Sequence, residues 1–136
     1  YHDMLRQGPS RFAQAIEQLS RADALPAVFH CAAGKDRTGV LAMLLLGSMG
    51  VPHEYIVADY ALTADGIARM RVWAQREAPE MWARMADAPS AFMAAVPEAM
   101  FRVINTICAD GTLRDYTLSL GVSPAALERL ADHLLE

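Results

Sequence analysis

Residues 30–39 read HCAAGKDRTG, and this segment is the most informative part of the 136-residue chain. The apolar, β-prone run Ala27–His30 leads into it and predicts a short buried strand. A helix is predicted to begin at Arg37 or Thr38, with apolar residues around most of its circumference. A loop between a strand and a helix N-terminus directs backbone N–H groups at a bound anion. The segment therefore predicts an α/β fold with an anion-binding loop.

Four side chains of this segment have the chemistry of a thiol nucleophile and its supporting groups. A cysteine at a helix N-terminus or beside cations has its pKa lowered from about 8.5 to roughly 3.5–7.5, so Cys31 is predicted to be a thiolate. The planar guanidinium of Arg37 matches two oxygens of a phosphate group. Thr38 is predicted to donate its hydroxyl to the thiolate, and His30 is predicted to orient the loop.

The residues between the cysteine and the arginine are predicted to bind the anion, largely through their backbone. They are Ala32, Ala33, Gly34 and Lys35. Gly34 permits the backbone conformation that such a loop requires. Lys35 is either a second positive charge at the mouth of the site or a solvated side chain, and we expect it to contact the anion.

The composition argues against several classes of protein. A net charge of −4 and a pI near 5.5 oppose a nucleic-acid-binding surface. The longest apolar stretch, Val40–Val51, is shorter than the roughly 20 residues that span a bilayer. Cys31 and Cys108 are too few for a disulfide framework, and no His or Cys spacing indicates a metal or cofactor site. A cytoplasmic protein and one secreted by a bacterium are both consistent with this composition, and no signal peptide is visible.

The rest of the chain is predicted to be helical. Apolar periodicity and capping residues predict helices over 10–20, from 37 or 38 to 49, 53–63, 65–78, around 100–107, 112–120, and from Ser123 onward. A single strand leaves its backbone donors and acceptors unpaired, so another segment or another chain must supply its neighbours. We therefore expect residues 1–136 to form one domain that is the later half of a larger α/β domain.

The segment from His30 to Gly39 resembles the signature loop of the protein tyrosine phosphatase superfamily, H-C-x5-R-[S/T]. Its sequence is similar to that of a bacterial and fungal tyrosine/serine phosphatase branch, which includes secreted mycobacterial and listerial phosphatases. Sequence similarity to that branch continues at Gly50–Pro52, Asp59–Thr63 and Tyr116–Ser123. The resemblance covers essentially the whole chain but only the later half of the family domain.

The resemblance implies a three-layer, phosphatase-like fold, here mostly helical, with one central strand leading to the phosphate loop. It also implies hydrolysis of phosphomonoesters through a phosphocysteine intermediate, without a cofactor. The implied substrates are phosphotyrosine, with phosphoserine, phosphothreonine and phosphoinositides as further possibilities. The implied partners are a phosphorylated protein or a phosphoinositide, and another chain or fragment that completes the sheet.

A general acid must protonate the leaving oxygen, and the sequence offers several candidates. The resembling family carries an Asp within the loop, and Asp36 matches that position. Asp3 is the alternative upstream of the cysteine, whereas Asp23 is predicted to be a solvated turn residue. A residue outside the chain is a further alternative. Asp59 either orients Arg37 or is a surface charge.

Three other functions compete with phosphatase chemistry. A catalytically weak phosphate-binding or phosphoprotein-binding module would lack the nucleophile or the arginine, and both are present here. A sulfur- or arsenate-handling enzyme also uses a cysteine in an anion-binding loop. A helical interaction domain accounts for the apolar helices but leaves the loop unexplained. Residues 79–100, rich in Met, Trp and Phe, are either a core-facing helix pair or a mobile lid.

Overall fold

A computed structural model describes residues 1–86 and 94–135. Helices account for most of these residues. They are α1 (His2–Gln7), α2 (Pro9–Leu19), α3 (Asp36–Ser48), α4 (His53–Ala61), α5 (Thr63–Glu77), α6 (Pro79–Ala86), α7 (Pro97–Ile107), α8 (Leu113–Ser119) and α9 (Pro124–Leu134). No helix in the described ranges is long and apolar enough to cross a membrane.

The predicted central strand is not confirmed in the described structure. Residues 27–30 are not hydrogen bonded as a strand, and the side chain of Val28 is 94% exposed rather than buried. Residues 1–86 and 94–135 contain no β-strand, so the sheet of the expected three-layer arrangement is also missing from them. A strand forms only when a neighbouring strand satisfies its backbone, and no described segment lies in position to do so. Apolar, β-prone residues alone therefore did not determine the structure of this segment.

Helix α3 is the centre of the core and carries the loop at its N-terminus. Its side chains Val40 and Leu44 are fully buried, in keeping with the apolar character predicted all round this helix. The helix packs against α2, α4 and α8, while α4 also packs against α7. Gly47 allows the closest approach, because a Cβ atom there would lie 2.3 Å from a methyl carbon of Leu113. The loop is thus anchored to the most buried helix of the chain.

Helix boundaries agree with the local signals in most places. The side chain of Ser123 accepts a hydrogen bond of 3.2 Å from the Ala126 N–H, which confirms the predicted cap of α9. Ser10 was expected to cap the second helix, but α2 already begins at Pro9, with Gly8 at the cap position. Proline is favoured in the first turn because it lacks the N–H that would be unpaired there.

One short helix was not predicted from the sequence, and another lies in a segment for which a helix pair was one of two alternatives. Helix α1 lacks a strong apolar periodicity, although its Leu5 is buried in the core. Helix α6 occupies the first part of the segment 79–100, and Met100 at the other end is fully buried. A helix pair and a lid were the two alternatives for the segment 79–100. Residues 87–93 of this segment lie outside the described residues.

Candidate active site

The loop from Cys31 to Lys35 connects the segment 27–30 to the first turn of α3. Gly34 has a φ of +65°, a conformation that side chains with a Cβ rarely adopt, so the prediction made for this glycine is confirmed. The Gly39 N–H donates a hydrogen bond of 2.9 Å to the carbonyl oxygen of Lys35, which closes the first helical turn. The loop therefore curls back above the N-terminus of α3.

The Cys31 sulfur lies among hydrogen-bond donors of its own loop. Partial burial alone would raise the pKa of the thiol, but the donors outweigh it and lower the pKa from 9.0 to about 6. These donors are the Thr38 hydroxyl and the backbone N–H groups of Thr38, Lys35 and Ala33. Hydrogen bonds to an ionised group favour that ionised form. Cys31 is therefore mostly thiolate at neutral pH.

The Thr38 hydroxyl contributes most among the groups that lower this pKa. Its oxygen is buried, and within the described residues no hydrogen bond to it is formed. A buried hydroxyl without a partner is costly, so a charged acceptor close by is the favoured recipient of its proton. Donation from Thr38 to the Cys31 thiolate stays a prediction.

A cavity of about 480 Å³ opens beside Cys31. Arg37 and Thr38 line it from α3, and the exposed side chain of Arg37 faces solvent there. The remaining wall is mostly apolar and comes from α1, α2, α3 and the segment 27–30. It comprises Met4, Gln7, Gly8, Arg11, Phe12, Ala15, Phe29, His30 and Leu41. The site thus combines a thiolate, a guanidinium group and a surface able to contact an aromatic ring.

Arg11 is the cavity residue with functional chemistry that sequence reasoning missed. It lies on α2, where α2 packs beside α3, and it adds a second guanidinium group to the lining. No motif surrounds it in the sequence, and its place at the site depends on the packing of two helices. The apolar face of α2, with Phe12 and Ile16 buried, was the available signal that this helix covers the core beside the loop.

Lys35 and Asp36 adjoin the start of α3 and pair with each other. The ammonium of Lys35 is 3.4 Å from Asp36 Oδ1, and the Lys35 side chain is 5% exposed. Lys35 was expected at the mouth of the site, and the structure does not place it there. Asp36 Oδ1 also accepts a hydrogen bond of 2.9 Å from the Tyr1 hydroxyl. Neither residue lines the cavity beside Cys31.

The other sequence candidates are dispersed. His30 places Nδ1 3.1 Å from the Cys31 carbonyl oxygen, a contact suited to holding the loop. Asp59 is exposed on α4, and within the described part of the chain no hydrogen bond or ion pair joins it to Arg37. Asp3 is exposed on α1. Asp23 pairs with Arg21 at 3.0 Å on the surface, as expected of a turn residue.

A sequence model described as "Tyrosine phosphatase family" matches residues 1–136. The triple specificity protein phosphatase PtpB of Mycobacterium tuberculosis is 30% identical over 143 aligned positions, covering 96% of this chain and 51% of that protein. A tyrosine-protein phosphatase of Nostoc commune is 41% identical over 64 residues, covering 47% of this chain and 22% of that protein.

A putative tyrosine-protein phosphatase of Cupriavidus necator is 43% identical over 54 residues, covering 38% of this chain and 20% of that protein. The chain thus spans about half the length of the M. tuberculosis protein. The aligned parts make up a smaller fraction of the N. commune and C. necator proteins. The similarity of this chain to bacterial tyrosine phosphatases extends over all of its residues in the family comparison.

Replacing Thr38 by valine should raise the pKa of the Cys31 thiol, because the variant keeps the shape but removes a donor to the thiolate. We expect a rise of roughly 1–2 pH units from about 6, the scale of one hydrogen bond to an ionised group. The measurement is the pH dependence of iodoacetamide alkylation, followed by peptide mass spectrometry. Cys108 in the same digest is the internal reference, and Thr38→Ser should keep the low value. An unchanged midpoint in Thr38→Val would contradict this assignment.

Proposed function

The chain belongs to the tyrosine phosphatase family, and on that premise we propose that it hydrolyses phosphomonoesters with Cys31 as the nucleophile. The observation that carries the proposal is the lowered thiol pKa of about 6, which makes a thiolate available at neutral pH. The loop N–H groups that lower this pKa also suit the oxygens of a bound phosphate group.

In the first step the Cys31 sulfur attacks the phosphorus atom of the substrate, and the bond from phosphorus to the ester oxygen breaks. Arg37 holds two of the non-bridging oxygens through its planar guanidinium group. The loop amides and the N-terminus of α3 stabilise negative charge on these oxygens as the phosphoryl group transfers. The products of this step are phosphocysteine and the dephosphorylated alcohol or phenol.

In the second step a water molecule attacks the phosphorus of phosphocysteine, and the bond from phosphorus to sulfur breaks. Inorganic phosphate is released, and the electron pair returns to the Cys31 sulfur as a thiolate. The Thr38 hydroxyl stabilises this leaving thiolate, in the same way that it lowers the thiol pKa in the free protein. No metal ion takes part in the proposed sequence of steps.

The leaving oxygen of the first step needs a proton, and we propose Asp36 as its donor. The residue lies in the loop next to Arg37, and its side chain remains 32% exposed. The hydrogen bond from Tyr1 fixes the orientation of the carboxyl group. In the free structure this group is not part of the cavity lining, so donation requires Asp36 to reach a substrate bound above the loop.

Phosphotyrosine is the substrate that the cavity suits best. Its apolar wall, formed in part by Phe12, Phe29 and Leu41, offers contact surface for the phenyl ring, while Arg37 receives the phosphate group. Phosphoserine, phosphothreonine and phosphoinositide head groups share the phosphomonoester, and the M. tuberculosis relative bears the name triple specificity phosphatase. We therefore propose phosphorylated proteins as the main substrate class and phosphoinositides as a second class to compare.

The segment 27–30 is proposed as a site where additional polypeptide pairs with this chain. The side chain of Val28 is 94% exposed, and the backbone of this segment forms no strand in the described structure. Backbone groups that no strand pairs are a template for a neighbouring strand. Such pairing would hold Cys31, which follows directly in the chain, in a fixed position.

Replacing Cys31 by serine should abolish hydrolysis of p-nitrophenyl phosphate and of a phosphotyrosine peptide, because the hydroxyl is not ionised at neutral pH. Arg37→Lys should lower kcat/KM by roughly 10²- to 10³-fold, since lysine lacks the two-pronged contact to the phosphate. The matched control is Cys108→Ser, which should retain wild-type activity. Steady-state kinetics with and without EDTA provide the measurement.

Each competing function gives a different result in that assay. Turnover that survives in Cys31→Ser, or that EDTA removes, would contradict the cysteine mechanism. Phosphate binding without turnover in the wild-type chain would support the phosphate-binding module instead. Reduction of arsenate without phosphatase activity would support an arsenate-handling enzyme.

Replacing Asp36 by asparagine should separate good from poor leaving groups. Phenolate from phosphotyrosine needs a proton, so its hydrolysis should fall by roughly 10²-fold or more. Nitrophenolate leaves without protonation, so kcat for p-nitrophenyl phosphate should change much less. The ratio of the two kcat values in wild type and variant is the measurement. Equal losses on both substrates, or no loss on phosphotyrosine, would exclude Asp36 as the acid.

A further inference from the structure

Two tyrosine hydroxyls and the carboxylate of Asp36 form a hydrogen-bonded chain at the start of α3. The Tyr1 hydroxyl donates to Asp36 Oδ1 at 2.9 Å, and the Tyr1 and Tyr60 hydroxyls are in hydrogen-bond contact with each other. Because Tyr1 uses its proton on the carboxylate, Tyr60 donates to the Tyr1 oxygen. The two rings meet edge to face, with centroids 6.1 Å apart and an interplanar angle of 86°.

The ring of Tyr60 is held by the first turn of α3. Tyr60 is 3% exposed, and a Cβ atom at Gly39 would lie 2.9 Å from its Cδ2 atom. The absence of a side chain at Gly39 therefore admits the ring directly against the helix that carries the loop. A buried ring in a close-packed site has little freedom, so its hydroxyl has a defined position. That position determines where Tyr1 and Asp36 lie.

The carboxylate of Asp36 receives a further contact from within the loop. The Lys35 ammonium lies 3.4 Å from Oδ1 and 3.4 Å from the carbonyl oxygen of Ala94, which precedes α7. Among the residues that the structure describes, Tyr1, Tyr60 and Lys35 are thus titratable groups that face this carboxylate. Burial raises the pKa of Tyr60, and burial together with hydrogen bonds to Tyr60 and Asp36 raises the pKa of Tyr1. Both phenols therefore remain protonated donors at neutral pH.

We propose that Tyr60, acting through Tyr1 and Asp36, is a positioning residue that fixes the backbone at the start of α3 and thereby the adjoining residue Lys35, whose N–H points at Cys31. The Lys35 N–H is one of the backbone donors to the sulfur, and Asp36 is the next residue in the chain. Holding the Asp36 side chain restricts rotation of the Lys35–Asp36 peptide, and this in turn restricts Lys35 and its N–H. The proposal rests on the proposed function in assigning Cys31 as the reacting group.

The other charged or titratable groups around the thiolate are not part of this chain of hydrogen bonds. His30 adjoins Cys31, Arg37 lines the cavity from α3, and Arg11 lines it from α2. A Tyr60→Phe substitution leaves all three in place and retains the ring that packs against Gly39. A change in Cys31 reactivity in this variant then reports on the hydroxyl alone.

The test is the pH dependence of Cys31 alkylation by iodoacetamide in wild type, Tyr60→Phe, Asp36→Ala and the double variant. We expect Tyr60→Phe to raise the midpoint by roughly 0.5–1 pH unit, the scale of one weakened hydrogen bond to an ionised group. In the Asp36→Ala background, Tyr60→Phe should cause no further shift, because the acceptor that links Tyr1 to the loop has been removed. The matched control is Tyr116→Phe, a partly buried tyrosine outside this site, which should leave the midpoint unchanged.

Three outcomes would overturn the proposal: no shift in Tyr60→Phe, the same shift in both backgrounds, or an equal shift in Tyr116→Phe. The second outcome would indicate a general structural effect of Tyr60 rather than an effect through Asp36. Alkylation does not require turnover, so this result is obtained even where phosphatase activity is absent. Failure of the proposed function and failure of the positioning role are therefore distinguishable.

Discussion

The convergence of hydrogen-bond donors on the Cys31 sulfur is the interaction on which the proposed chemistry depends. Partial burial opposes ionisation of the thiol, and the N–H groups of the loop and the Thr38 hydroxyl reverse that effect. The same donors surround the place where a phosphate group would bind above the sulfur. One local geometry therefore prepares the nucleophile and favours the anion that it attacks.

The fold supports this geometry by anchoring the loop to a helix that is buried along most of its length. Val40 and Leu44 are completely removed from solvent, and Gly47 brings α8 into direct contact with α3. Such a helix cannot shift without disturbing close-packed side chains. Tyr60 and Tyr1 add a second anchor at the start of the helix, through the carboxylate of Asp36. The loop is thus held both by the buried helix α3 and by the hydrogen bonds of the two phenols.

Local signals in the sequence identified the features that depend on neighbouring residues. The loop 30–39, the left-handed Gly34 and the Ser123 cap were all predicted, because each depends on residue types within a few positions. The strand predicted at 27–30 is not confirmed, since its formation requires partner backbone that the described residues do not supply. The Tyr1–Asp36 and Tyr1–Tyr60 contacts join residues 35 and 59 positions apart, and no local pattern indicates them. Arg11 likewise reaches the cavity only through the packing of α2 beside α3.

The central claim is that Cys31 accepts the phosphoryl group during turnover. Rapid acid quenching of the wild-type protein with a phosphotyrosine peptide, followed by peptide mass spectrometry, tests it most directly. The account predicts that the peptide containing Cys31 carries the mass of one phosphoryl group, and that this adduct disappears as substrate is exhausted. Continuing hydrolysis with Cys31 unmodified, or a phosphoryl group on another residue such as His30, would contradict the account.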